Sequence, residues 1–139
     1  MDIDKLEAGR EMDALIAEKV FGWRKVKGPK TDYNGPCESF DVLIPPSIDD
    51  PFPFYPPKGA VPPYYFCRKW STDIALAFEV VEALKQQETW LTLTYLLEYF
   101  PGEKTDRWVW QAKFRGAKHG IGYANEIPLA ITSAALKAV

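Results

Sequence analysis

The sequence predicts an α+β domain of three helices and a small, mainly antiparallel sheet. Three features of its patterning carry that prediction. Apolar residues recur at three- and four-residue spacing in three separate windows. Between the second and third windows the period drops to two, in a pair of runs joined by a Pro-Gly turn. Ahead of the second window, ten of the chain's 12 prolines fall between Pro29 and Pro63, a stretch that can be neither a long helix nor a central strand.

The first helix is expected over 6–21. Leu6, Met12, Leu15, Ile16 and Val20 trace its apolar stripe, and Gly22 follows as a natural stop. Trp23-Arg-Lys-Val reads as a first strand. The segment 29–68 reads as a Pro- and aromatic-rich loop or arm packed on the domain, because a solvated linker has little use for Tyr33, Phe40, Phe52, Phe54, Tyr55, Tyr64, Tyr65 and Phe66. Phe40-Asp-Val-Leu-Ile is its best short strand. The second helix is expected over 72–88, capped within Ser71-Thr72-Asp73, with Ile74, Phe78, Val81 and Leu84 or Lys85 tracing one stripe and Ala75 and Ala77 allowing close packing. Residues 90–98 and 107–115 then form a β-hairpin. Leu91, Leu93, Tyr95 and Leu97 lie on one face of the first run with Thr92 and Thr94 on the other, and Trp108, Trp110, Ala112 and Phe114 face one way in the second. A glycine-punctuated loop (Gly116, Gly120, Gly122) leads to a third helix over 126–139, with Pro128 in its first turn. The expected core anchors are Leu15, Ile74, Phe78, Val81, Leu93, Trp110 and Leu136.

At 139 residues the chain has the size of one domain, taken here as 1–139. Its 17 Lys+Arg against 19 Asp+Glu leave a net charge of −2, which argues against a dedicated nucleic-acid binder. No apolar run approaches the roughly 18–20 residues that cross a bilayer, and the acidic start does not read as a secretory signal. Two cysteines, Cys37 and Cys67, fit a reducing, cytoplasmic compartment better than a disulfide scaffold. With one histidine, His119, they lack the close ligand pairs of a zinc site, so no metal and no cofactor is expected. No nucleophile elbow, P-loop or dinucleotide fingerprint occurs.

Charge is unevenly placed. Lys104 to His119 carries five basic residues against one acid, whereas Thr31 to Pro57 carries five acids and no base. Arg115, Lys118 and His119 lie in the glycine-punctuated segment ahead of a helix, where backbone amides and cations together suit an anion. Trp108 and Tyr123 are near enough in sequence to stack a base. These five residues are the candidate ligand site. The competing reading puts the tryptophan in the core and lets the basic residues balance the acidic stretch. Gly9-Arg10 with Asp13, and Ser71-Thr72-Asp73, read as a solvated helix face and a plain helix cap.

Three segments together resemble the phage ABA-sandwich domain family, small proteins of phages and prophages. They are Leu6-Glu-Ala-Gly-Arg-Glu-Met-Asp-Ala-Leu-Ile-Ala-Glu-Lys-Val-Phe-Gly-Trp23, Trp70-Ser-Thr-Asp-Ile-Ala-Leu-Ala-Phe-Glu-Val-Val-Glu-Ala-Leu84 and Pro128-Leu-Ala-Ile-Thr-Ser-Ala-Ala-Leu-Lys-Ala138. The resemblance implies a three-layer α/β/α sandwich in a phage genome, hence in the cytoplasm of a bacterial host, and it transfers no catalytic residue. The long Pro-rich insertion before Trp70 and the approach Ala124-Asn-Glu-Ile before Pro128 depart from the family's pattern.

Function is therefore expected to be binding rather than catalysis: a non-enzymatic phage accessory protein, self-associating, that captures a small anionic or nucleotide-like ligand or a host protein. The alternative is a small hydrolase or transferase with an unrecognised active site. A homo-oligomer, with a dimer favoured, is expected because the aromatics exceed what one small sheet hides, with Phe52, Phe54 and Tyr55 as the adhesive surface.

Overall fold

The computed structural model describes residues 2–27, 31–32, 35–36, 41–49 and 68–139. Three helices and small antiparallel sheets give the α+β architecture that the patterning predicts. Phe52, Phe54 and Tyr55, both cysteines and much of the 29–68 arm lie outside the described residues.

Helix α1 runs Arg10–Lys19, later than expected, because Gly9 at φ 147° turns the chain sharply between it and a 3-10 turn at Ile3–Lys5. It buries Met12, Ala14, Ile16 and Ala17. Gly22, at φ 72°, ends the segment, and the Trp23 amide donates back to the Ala17 carbonyl at 2.9 Å. Strand β1 (Arg24–Lys27) pairs antiparallel with β4 (Asp41–Ile44), whose Val42, Leu43 and Ile44 are buried. Between them β2 (Thr31–Asp32) pairs with β3 (Gly35–Pro36).

Helix α2 (Ile74–Lys85) is capped by Asp73, which accepts from the Leu76 amide at 3.1 Å. Its buried stripe is Ala77, Val80 and Leu84. Ile74 and Phe78 are instead 49% and 43% exposed, which corrects two of the expected core anchors. The helix turns about 100° per residue, so choosing Ala77 for the contact with the C-terminal helix, Ile127–Ala138, swings Phe78 outward. Leu15, Val81, Leu93 and Trp110 pack partly buried on the core and Leu136 is buried.

The main sheet has the order β5-β6-β7. Strands β5 (Thr89–Phe100) and β6 (Thr105–Gly116) form the expected hairpin, longer than predicted, in register from Thr89↔Gly116 to Phe100↔Thr105. Strand β7 (Gly120–Ala124) was expected as loop; it pairs with β6 from Phe114↔Gly120 to Trp110↔Ala124. Helix α3 (Ile127–Ala138) lies along β7 and β6 and is buried from Ala130 to Leu136, because α2, α1 and the 3-10 turn pack on its other sides. Its Thr132 hydroxyl donates to the Pro128 carbonyl at 2.9 Å, as a buried hydroxyl must find a partner. Gly120 and Gly122 make this approach close. A Cβ on Gly122 would stand 2.6 Å from the Ala130 carbonyl oxygen and the Ala134 amide, and one on Gly120 would meet Ala134 and Ala138. The glycines expected to admit a ligand admit a helix.

Candidate ligand-binding face of the sheet

Period two divides the sheet into two faces. Leu91, Leu93, Ala112, Phe114, Gly120, Gly122 and Ala124 turn toward the helices. Trp90, Thr92, Thr94, Gln111, Lys113, Arg115, Ile121 and Tyr123 occupy the other face and are each exposed or half-buried, whereas Val109, on the same face nearer the hairpin turn, is fully buried. Across the strands Trp90 lies opposite Arg115, Thr92 opposite Lys113, and Thr94 opposite Gln111. On the far side Ile121 lies opposite Lys113 and Tyr123 opposite Gln111. Directly opposed residues have Cβ atoms about 4.5–5.5 Å apart, so a cation and a large ring stand side by side at the Arg115 end.

Trp90 is 55% exposed and still has a seat. A Cβ on Gly116, which has φ 129°, would stand 2.9 Å from two of the indole's ring carbons, so only glycine lets the ring lie against the chain there. The same Gly116 position faces the Glu88 carbonyl, and the Ala117 amide donates to that oxygen at 3.0 Å, tying the turn after β6 to the start of β5. Gln111 Nε2 donates to the Tyr123 hydroxyl at 3.0 Å and orients the second ring.

The five residues expected to form the site are divided by this geometry. Arg115 closes β6, Lys118 and His119 occupy the exposed turn to β7, and Tyr123 shares the Arg115 face. Trp108 is on the opposite face, farther along β6, where its ring stacks on Tyr95 with centroids 5.4 Å apart. Trp90 takes the place expected for Trp108. The parity that put Thr92 and Thr94 on one face put Trp90 there too, so the signal was present in the sequence. The helix-dipole part of the expectation also changes. Helix α3 runs antiparallel to β7, so its C-terminal residue Ala138 lies at Gly120. Helix α2 ends just before β5. Helix carbonyl ends attract cations, so these two helix ends offer no free amides to an anion.

The start of α1 and the approach to α2 close on each other. Gly9-Arg10-Asp13 and Ser71-Thr72-Asp73 meet where α1 begins: the Gly9 amide donates to Ser71 Oγ at 2.9 Å and the Ser71 amide donates to Asp13 Oδ1 at 2.8 Å. Burial pushes the Asp13 carboxyl above its usual range, and the Ser71 amide, the Ser71 hydroxyl and Lys69 oppose that shift. Next to it Trp70, 1% exposed, stacks on Phe21 at 4.8 Å and meets the edge of Trp23 at 5.9 Å. Trp70 Nε1 donates to Glu79 Oε1 at 3.1 Å, and Arg68 grips the same carboxylate through Nε and Nη2 at 2.8 and 2.7 Å. That grip, more than the Trp70 bond, holds the Glu79 carboxyl below its usual range. Among the described residues no buried side-chain nitrogen or oxygen lacks a partner, and no group of three or more His, Cys, Asp or Glu is placed to hold a metal. Nor is any helix among them long and apolar enough to cross a membrane.

A family model described as the phage ABA sandwich domain matches residues 14–136, nearly the whole chain. No curated protein and no solved structure matches it.

Proposed function

The chain belongs to the phage ABA-sandwich domain family, and from that premise we propose that it is a non-enzymatic phage accessory protein whose outer sheet face captures a small anionic, nucleotide-like ligand. One observation carries the reading: exposed Trp90 is seated on Gly116 directly across from Arg115, with Lys113 two residues farther along the same face. An indole face held open on a sheet accepts a flat ring, and stacking of a base on such a ring contributes about 1–3 kcal/mol. Arg115 and Lys113 supply charge-assisted hydrogen bonds to a phosphate, stronger than neutral ones. Lys118 and His119 border the same end and extend the cationic rim. Tyr123 offers a second ring, and Thr92, Thr94 and Gln111 offer neutral donors and acceptors between the two. This set of groups suits recognition of charge and shape.

Isothermal calorimetry tests it, with inorganic phosphate, nucleosides, and mono- and cyclic nucleotides as titrants. Nucleotides should bind more tightly than either phosphate or nucleoside alone. Arg115→Ala should weaken phosphate and nucleotide together, whereas Trp90→Ala should weaken nucleotides by roughly ten- to a hundredfold and leave phosphate unchanged. Silence with every titrant, or full binding by Arg115→Ala, would overturn the proposal.

A further inference from the structure

The hairpin β5–β6 outruns the helices that cover it. Its core-facing side begins in Leu91, Leu93, Ala112 and Phe114, packed under α2 and α3, and continues past them in Tyr95, Leu97, Tyr99 and Trp108. All four of the latter are more than half exposed. Tyr95 lies between two indoles, 5.4 Å from Trp108 and 4.9 Å from Trp110, so the patch is preformed. The reverse side of the same stretch is closed: Val109 is fully buried, Arg107 sits 4.0 Å over the Phe100 ring, and Phe100 meets the edge of Tyr123. Arg107 Nη1 also donates to Asn125 Oδ1 at 2.7 Å and ties the arm to the end of β7. The arm is braced on one side and open on the other.

Strand β5 is also the edge of the sheet. It is 12 residues long, contains no proline or glycine, and carries a single charge, Glu98. Long edge strands are ordinarily blunted by lysine, proline or a bulge, because their outward amides and carbonyls template another strand. Here none of those devices is present, and among the described residues no strand pairs with that edge.

The geometry points to a second copy of this chain as the occupant, paired antiparallel, β5 to β5, about a twofold axis near Leu96. Residues facing each other across such an axis have numbers summing to a constant, so Tyr95 of one copy falls beside Leu97 of the other, and Tyr99 beside Leu93. The register then runs one apolar row across both molecules: Trp108, Leu97, then Tyr95 and Trp110 of the second copy, with the mirror row alongside it. Cross-strand pairs of aromatic and aliphatic side chains are the kind that stabilise a sheet. Charge fits as well, because Glu98 falls opposite Thr94 and not opposite its own copy. A closed twofold pair satisfies both edges at once, as an isologous interface does.

Sedimentation velocity on the full chain tests this, with far-UV circular dichroism to confirm that each variant folds. Wild type should be dimeric at tens of micromolar. Tyr95→Lys and Leu97→Glu each place like charges diagonally across the axis, and each alone should weaken the dimer at least roughly tenfold. Mixed in equal amounts the two should recover it, because Lys at 95 then meets Glu at 97. A monomeric wild type, single variants that dimerise as wild type does, or a mixture that stays monomeric would each overturn the proposal. Arg115→Ala and Trp90→Ala, which alter the other face, should leave the dimer intact.

Discussion

Two regions of the molecule each hold a tryptophan among polar and charged side chains, and they do opposite things with it. At the start of α2, Trp70 is enclosed by Phe21 and Trp23, its indole nitrogen is satisfied by Glu79, and the adjacent Ser71 locks Gly9 and Asp13 of the first helix to the second. At the start of β5, Trp90 stands more than half in solvent across from Arg115. The first region is made of the segments that carry the family resemblance, and its buried polar side chains are answered from within the chain. The second lies outside those segments and turns its rings and cations outward. A residue type therefore says little about function until its partners are known. The family model spans Trp70 and Trp90 alike, yet the first region holds the fold and the second faces what the fold could bind.

If that division is right, Trp70→Ala should have the largest effect on stability. Removing a fully buried indole costs about 3–5 kcal/mol, measured by urea unfolding. A loss under about 1 kcal/mol would erase the contrast with Trp90. Gly122→Ala comes next. Its new methyl would press on the backbone of α3 rather than on a side chain able to turn aside, and overpacking of this kind costs about 1–3 kcal/mol. An unchanged unfolding midpoint would show that the strand and helix can separate without penalty.

Asp13 sharpens the comparison through pH. Its carboxyl titrates above the ordinary value of 3.8 because burial disfavours the charge. The stability this contributes is full below 3.8 and is lost as pH rises through the folded-state value. Asp13→Asn keeps an oxygen for the Ser71 amide and has no charge to bury. It should match wild type in acid and equal or exceed it at neutral pH. Asp13→Ala leaves the buried Ser71 amide without its acceptor and should lose about 1–3 kcal/mol. Unfolding curves of the three proteins from acid to neutral pH check the order. An Asn variant that weakens relative to wild type as pH rises would reverse the sign. The smallest effect belongs to Phe78→Ala: because the ring is 43% exposed, its loss should fall well below the roughly 3–5 kcal/mol of a buried phenylalanine.

Patterning made the three helices and the hairpin legible because α1 and α2 each bury one stripe, α3 is an apolar run opened by Pro128, and the hairpin strands alternate. It placed Leu84 on the α2 stripe but put Ile74, Phe78 and Val81 beside it in place of Ala77 and Val80, because both sets repeat at helical spacing and hydrophobicity alone favours the larger residues. The tertiary requirement, close contact with the small residues of α3, favours the smaller ones. Strand β7 was illegible for a related reason. Gly120 and Gly122 look like loop residues until a helix is laid across them, and their lack of side chains is what that packing requires. In the candidate site, Arg115 and Tyr123 share a face and Lys118 and His119 occupy the turn beside it, because a single short turn joins their strands. Trp108 failed because seven residues of strand reverse the face, and Trp90 was passed over because it arrives from a different strand. The meeting of Gly9 and Asp13 with Ser71 spans about 60 residues, a pairing that no local pattern encodes.

The most direct test of the division is one variant measured twice. Trp90→Ala should unfold within about 1 kcal/mol of wild type, as expected when an exposed side chain is removed. In calorimetry it should also lose roughly ten- to a hundredfold in nucleotide affinity. A protein that unfolds several kcal/mol more easily, or that binds nucleotides as wild type does, would contradict the account.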